Sequence, residues 1–567
     1  MKTTILLFAA LLIPRSAAAE DPNSETVFRA LVDEMKRTVS RLEMEKLGKP
    51  YFVAYTAMDS KRLSISSSFG GIKDPHLSRS RHLKVELRVG DRKFDNTHYA
   101  GKDYWGYRPH SGGLVTDADY DAIRYGIWQI TDRAYKEALE RLSQKKAYKQ
   151  SKMIKEEIPD LSKEPVRVSE EPVGEVPFER KLWEKRLRKL SAVFKKYPAI
   201  QRSYVNLYWT QRRHYFVDSE GRRVLKPKHD FELVIGASTQ AKDGMRLSDR
   251  RDFIRRRLED MPPFSLLEAE VTKFAEDLSN LTTAPLLEDD YIGPMLLEGQ
   301  AAGEFFNQLL AHNIAFPREI WVQEEHARKE FHTGGLTGRL GLRVVSRFLS
   351  AEDDPGLKSF EGIPLLGHYR IDDEGVPAQR VALIEKGILK DLLMSRAPTK
   401  KRANSTGHGR GAHWEFPTAH ISNLVISSNK TMPLSELKDE LRKQAREFGL
   451  DFGVVIRRLR PENAQEKNEL LAAPVMVFKV DVKTGKETLM RNAKFSGVTL
   501  RALRDIVATS AKRHVYNYYQ LGPYKASGRG QVQASIVHPS VLVAEMELKK
   551  SDKKPDKLPY LKHPHFN

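Results

Sequence analysis

Residues 296–312, LLEGQAAGEFFNQLLAH, decide how the second half of this 567-residue chain is read. Leu296 and Leu297 close an apolar run that begins at Tyr291 (YIGPMLLEG, 291–299), the pattern of a buried strand. A helix follows over 298–312. Ala301, Ala302, Phe305, Phe306, Leu309 and Leu310 form its apolar stripe, while Gln300, Glu304, Gln308 and His312 fall at four-residue steps on the other side. A carboxylate and an imidazole on one stripe suggest a metal. Yet Glu304 and His312 are about 12 Å apart at 1.5 Å per residue. Two ligands of one zinc ion must each lie roughly 2 Å from it. His312 suits the helix C-terminus instead, where a cation is favoured.

Outward from this segment, helix and strand periods alternate. Residues 25–46 have Val27, Leu31, Met35, Val39 and Leu42 at helical spacing. YFVAYTAM and RLSISSSFG read as two strands, with Gly70-Gly71 as a turn, and RHLKVELRVG alternates as a half-buried strand. A second long helix spans 118–146. The stretch 147–177, rich in Lys, Glu and Pro, reads as a solvated linker or surface arm. A second unit then runs through a basic amphipathic helix (178–197), the strands SYVNLYWTQ, HYFVDSEGRRV and DFELVIGAST, and a helix at 264–282. Beyond 330 the chain is rich in glycine and short strands, with one amphipathic helix at 433–448 and a charged, loose tail at 549–567. The expected fold class is α+β: a two-part N-terminal lobe of helices and antiparallel strands (20–146 and 178–285) and a β-rich C-terminal domain (290–548).

The first residues, MKTTILLFAALLIPRSAAAE, have a lysine, an apolar run and an Ala17-x-Ala19 cleavage pattern, which together predict a signal peptide over 1–19 and an exported mature protein, periplasmic or extracellular. The apolar run is far short of the ~20 residues of a membrane span, and no later segment approaches one. Against 75 acidic residues stand 95 basic ones, a net charge of +20. That excess favours polyanions, but the basic residues are scattered, and in an exported protein nucleic acid is not an expected partner. The chain has no cysteine. It must fold without disulfides and can offer no thiolate to a metal.

Two histidine-bearing stretches need weighing. NSTGHGRGAHWEFPTAH (404–420) places His408, His413 and His420 with Arg410 among glycines. Their spacings of five and seven suit no common zinc pattern. The glycines would let an extended ligand approach, so His408, Arg410, His413 and His420 are candidate peptide-binding residues by strand-like pairing, against the plainer reading of a structured loop. EEHARKEFH (324–332) superficially resembles a metalloprotease helix but lacks the second histidine four residues on, and reads as a solvated charged helix. No nucleophile elbow, phosphate loop or dinucleotide fingerprint is present.

From 291 onward the chain resembles the TldD/PmbA family of zinc metallopeptidases, also called modulator-of-gyrase proteins. The resemblance is carried by GPMLLEGQAAGEFF, RIDDEGVPAQRVALIEKGILKDLLMSR, NSTGHGRG, FPTAHISNLVIS and GRGQVQASIVHPSVLVAEMEL, and more loosely upstream by VDSEGRRV. Active members carry a His-Glu-x-x-x-His helix and a cysteine near the C-terminus; both histidines and the cysteine bind zinc, and the glutamate activates water. Matching Gly303 to the family's helix glycine puts Gly299 and Glu304 at the histidine positions and Gln300 at the glutamate position. The cysteine position falls near Ala526 or Ser527. A glycine binds no metal and a glutamine is no general base.

The resemblance therefore implies a PmbA/TldE-like pseudoenzyme: no catalytic residue, no metal ligand and no cofactor of its own, zinc being carried by a partner. The implied partner is a metal-bearing TldD-like subunit, or a second copy of the chain, in a complex that cleaves unfolded peptides. Two alternatives stand beside it: an active peptidase with a site rebuilt from Glu298, Glu304 or the 408–420 histidines, and a basic envelope protein that grips peptide or polyanion.

Overall fold

Alternation of side chains builds the first lobe. Along the strand Pro50–Ser68, Val53, Tyr55, Ala57, Leu63 and Ile65 enter hydrophobic cores, while Thr56, Met58, Ser60 and Arg62 face the other way. The computed structural model describes residues 22–44, 48–155, 157–172, 174, 176–465, 469–525, 530–551, 556–561 and 563–566. The expected signal peptide and the Ala526/Ser527 position lie outside the described residues.

Eight strands form the first sheet. Its main path runs His110–Leu114, His76–Val89, Pro50–Ser68, Arg202–Asp218, Arg223–Gln240 and Val168–Glu170, and Arg246–Arg255 also pairs with Arg223–Gln240. Pro50–Ser68 is one continuous strand where the sequence suggested two. It pairs antiparallel with Arg202–Asp218, from Ala54↔Asp218 to Ser67↔Val205. The two parts expected of the lobe thus share one sheet. Helices Pro22–Arg41 and Tyr120–Ser151 cover one end of its apolar face, and Arg180–Ala192 and Phe264–Leu281 the other.

The expected linker is part of this lobe. Asp160 is 1% exposed and holds the Lys145 ammonium at 2.6 Å and the Arg318 guanidinium at 2.9 Å; Leu161 is buried. Val168–Glu170 adds a parallel strand alongside Arg223–Leu225. Ion pairing hid this segment from a hydropathy reading, because a charged stretch buries well once its charges are matched. The described residues of the tail are packed as well. His563 and Phe566 pack on Phe69 with centroids at 4.3 and 6.1 Å, and the Gln240 amide reaches the Asp556 carbonyl.

A twelve-stranded mixed sheet builds the second domain, with the hairpin Ile506–Leu521 and Gln531–Lys550 at its centre. The chain is therefore α+β as expected. Beside that hairpin lies the helix of the opening segment. Gly299–Phe305 is α-helical, Phe306–Ala311 widens into a π-helical turn, and His312–Ile314 completes it. Both its faces are buried, Glu304 and Gln308 included, which differs from the one-sided stripe expected. The inserted π turn breaks the four-residue register beyond Phe305.

Candidate functional site

Two places in the second domain concern chemistry. The first is the start of helix Gly299–Phe305. Gly299 has φ +50°, a conformation that favours glycine, and has no side chain. The Gln300 amide donates to the Leu459 carbonyl at 3.1 Å and accepts the Leu459 N–H at 3.0 Å, closing the sheet edge as a backbone would. Glu304 accepts hydrogen bonds from Asn307 (3.1 Å), Gln308 (2.9 Å) and the Tyr516 hydroxyl. Burial pushes its carboxyl above the usual range, against these donors. Gly303 lets the helix touch the hairpin: a Cβ there would lie 2.8 Å from the Tyr516 ring and 3.0 Å from His538 Nε2. Glu298 is paired with Arg457 at 3.0 Å and Lys438 at 3.5 Å. His312 faces Glu462 at 3.1 Å and stacks on His332 at 4.1 Å, so the 324–332 segment is a 3-10 turn that delivers one histidine inward.

The 404–420 loop splits. His408 is fully buried, its Nε2 3.0 Å from Asp353 and its Nδ1 against Thr406. His420 is fully buried against Phe316 and Gln520, and burial beside Arg410 lowers its pKa to about 3. These two hold the loop; they reach no ligand surface. That corrects their assignment as peptide-binding residues, and the reason is that Gly409–Arg410 and Thr418–Ala419 pair as a small ribbon with the imidazoles tucked beneath. Arg410 and His413 do reach open space. The structure does not gather Glu298, Glu304 and the loop histidines around one point. Among the described residues, no group of three or more His, Cys, Asp or Glu is placed to hold a metal ion.

That open space is the second place: a cavity of about 930 Å³ between the polar face of the first sheet and the second domain. Thr56, Met58, Ser60, His82, Lys84, Arg212, His214, Lys226, Lys228 and Asp230 line it from the sheet; Tyr369, Asp373, Arg410, His413, Trp414, Tyr519 and Gln533 line it from the other side. Lys226 pairs with Asp373 at 2.6 Å, Arg212 with Asp230, and Gln533 also donates to Asp230. Burial and the surrounding cations lower His214 to about 3 and His413 to about 4, and lower Lys228 to about 7. The hairpin serves both places. Tyr516 meets Glu304 on one of its faces and Tyr519 lines the cavity on the other.

Sequence reasoning missed the sheet-borne part of this cavity. Its signal was the charged alternation Lys226-x-Lys228-x-Asp230-x-Glu232, which looks like a solvent face until a second domain covers it.

Residues 291–550 match a family model described as the PmbA/TldA metallopeptidase C-terminal domain. A metalloprotease of Archaeoglobus fulgidus is 28% identical over 148 residues, 26% of this chain and 31% of that protein. A metalloprotease TldD homolog of Buchnera aphidicola is 26% identical over 179 residues, 31% of this chain and 32% of that one. The chain thus spans about a third of the length of these curated relatives. The fold is similar to that of a modulator of DNA gyrase from Thermotoga maritima (TM-score 0.58, 17% identity, 93% of this chain and 99% of that chain). It is also similar to TldE from Thermococcus kodakarensis (TM-score 0.55, 14% identity, 92% and 100% covered).

Proposed function

Because the chain is a member of the TldD/PmbA family, we propose that it is a metal-free subunit of that kind, exported, and that it shapes a peptidase complex without itself activating water. The observation that carries this reading is the state of Gly299, Gln300 and Glu304. One has no side chain, one is tied to Leu459, and the third has its carboxylate filled by three donors. Zinc does not fit this set, which supplies no imidazole and no thiolate, and a glutamine cannot take a proton from water. What the residues do is mechanical: they lock the helix against the Ile506–Leu521 hairpin, the wall that Tyr519 shares with the cavity.

On this reading the partner is a metal-bearing TldD-like chain sent to the same compartment, and the shared substrate is unfolded peptide. Metal analysis of the purified protein tests it, together with a peptidase assay with and without chelator. The expected result is less than a tenth of an equivalent of zinc and no cleavage by the lone chain, with cleavage only when a metal-bearing relative is added. Stoichiometric zinc with chelator-sensitive cleavage by this chain alone sinks the proposal.

A second reading, a binding module for peptide or polyanion, is supported by the basic lining of the cavity. Retention on an anionic polymer that is lost in moderate salt would favour a surface polyanion site over an enclosed one.

A further inference from the structure

The cavity contains charges that the fold leaves unmatched. On its floor, Lys228 lies directly opposite Arg212 in the antiparallel pair Arg202–Asp218 and Arg223–Gln240. Like charges facing across strands are unfavourable. Arg212 escapes by pairing with Asp230. Lys226, one pleat away, pairs with Asp373 and also donates to the Ile371 and Asp372 carbonyls. Asp372 accepts the backbone N–H groups of Glu374, Val376 and Gly409. Glu232 is taken by Arg250, and the charge of Glu171 acts on Arg256, which donates to two carbonyls of the second domain.

Lys228 has no such arrangement: among the described residues its ammonium makes no hydrogen bond and no ion pair. Arg410, on the opposite wall, donates one nitrogen to the Ile421 carbonyl and covers the Tyr369 ring at 4.8 Å, with no carboxylate partner among the described residues. Lys84 donates to the Glu415 carbonyl. Two cations from two domains thus line one enclosed space; the charges of Asp230 and, in the opposite sense, Arg410 both act on Lys228. Around them stand Tyr369, Trp414, Tyr519 and Met58, surfaces on which an uncharged chain can lie.

We propose that Lys228 and Arg410 form an anion subsite that takes a carboxylate of a bound peptide, the rest of the peptide lying against the aromatic side chains of the cavity. A carboxylate is the matching group: it accepts the remaining N–H of a planar guanidinium and an ammonium together. It would also give the Lys228 ammonium the direct partner that Asp230 and Asp373, paired with Arg212 and Lys226, do not provide. The inference rests on the peptide reading given above and assigns to this chain its own hold on the substrate, separate from any metal-bearing partner.

Isothermal titration of the full-length mature chain decides it. Three probes are used: the pentapeptide Ac-Ala-Ser-Ala-Ser-Ala as free acid, the same peptide as C-terminal amide, and the amide with one internal Glu. The free acid is expected to bind about tenfold more tightly than the plain amide. Lys228→Met should erase that difference and Lys228→Arg should retain it. If the internal-Glu amide binds as well as the free acid, the subsite takes side-chain carboxylates; if only the free acid gains, it takes chain ends. Either result supports the subsite. Equal binding of all three probes overturns it while leaving the peptide reading intact. No binding of any probe overturns both. Should the Lys228 variants fail to fold, the acid-to-amide ratio on the unaltered protein still gives the answer.

Discussion

The two faces of the Ile506–Leu521 hairpin pose one protein against itself. On one face Tyr516 bonds the buried Glu304, which Asn307 and Gln308 also hold; on the other, Tyr519 borders the cavity that Lys228 and Arg410 line. In the first, Glu304, Asn307 and Gln308 are buried, and hydrogen bonds tie them and Tyr516 together. The second is open and charged, and of its lining the sequence pointed only to the side that carries Arg410 and His413. Locked groups hold a wall in place; unmatched ones are what a ligand can use.

Substitutions can break that contrast, and the largest effect belongs to the locked side. Gly303→Val would drive methyls into Tyr516 and His538, already 2.8 and 3.0 Å from a Cβ. We expect a loss of about 3 kcal/mol or more, seen as a large drop in melting temperature and soluble yield. A conservative change on the cavity face, Met58→Leu, should cost under about 1 kcal/mol.

Next comes Glu304→Ala. It removes the acceptor of Asn307, Gln308 and Tyr516, and orphaned buried donors should cost about 2 kcal/mol. Peptide binding, measured by titration on the folded fraction, should be unchanged. If Glu304→Ala abolished binding while the melting point held, the pocket would be a ligand site and the contrast would fail.

The loop histidines sharpen it further. His408→Ala removes the bonds to Asp353 and Thr406 and should cost about 1–2 kcal/mol. His413→Ala, on the cavity wall, should stay within about 0.5 kcal/mol in stability and change peptide affinity instead.

The effect of pH is spread over several buried groups. His420, with Arg410 and Gln520 beside it, and His538, beside His514 and the Pro539 carbonyl, are held neutral by burial, at about 3 and about 4. His214, facing Lys226, Lys228, Lys84 and Asp373, joins them. A histidine whose folded pKa is depressed leaves stability intact above the unfolded value of about 6.5. Below it the unfolded chain takes the proton first, so stability falls as pH drops from there toward the folded values. Melting temperature should be flat from pH 8 to 7 and decline steadily from 6.5 to 5. His420→Gln should flatten that decline.

How far the sequence could be read follows from the range of the interactions involved. The apolar alternation along 50–68, 81–90 and 203–239 was local, and it put the right residues in the core. That Pro50–Ser68 pairs with a strand some 150 residues later was not local, so one lobe looked like two. Gly299, Gln300 and Glu304 could be singled out from the sequence because the question there was which side chains stand at three neighbouring positions. Lys228 was not, since its meaning depends on Arg410 arriving from another domain and on Arg212 choosing Asp230. The misassigned pair, His408 and His420, looked like ligand groups for the same reason: only the ribbon of Gly409–Arg410 with Thr418–Ala419 reveals which way they are turned.

The segment around Lys557 rests so closely on the turn at Gly244 that a Cβ there would come within 2.8 Å of the Lys557 Cα, while Phe566 reaches the Phe69 hairpin. A strand of the second domain is thereby moored to the far rim of the first lobe. A fluorophore at position 565 paired with one at 71 would report release of this mooring as a loss of energy transfer.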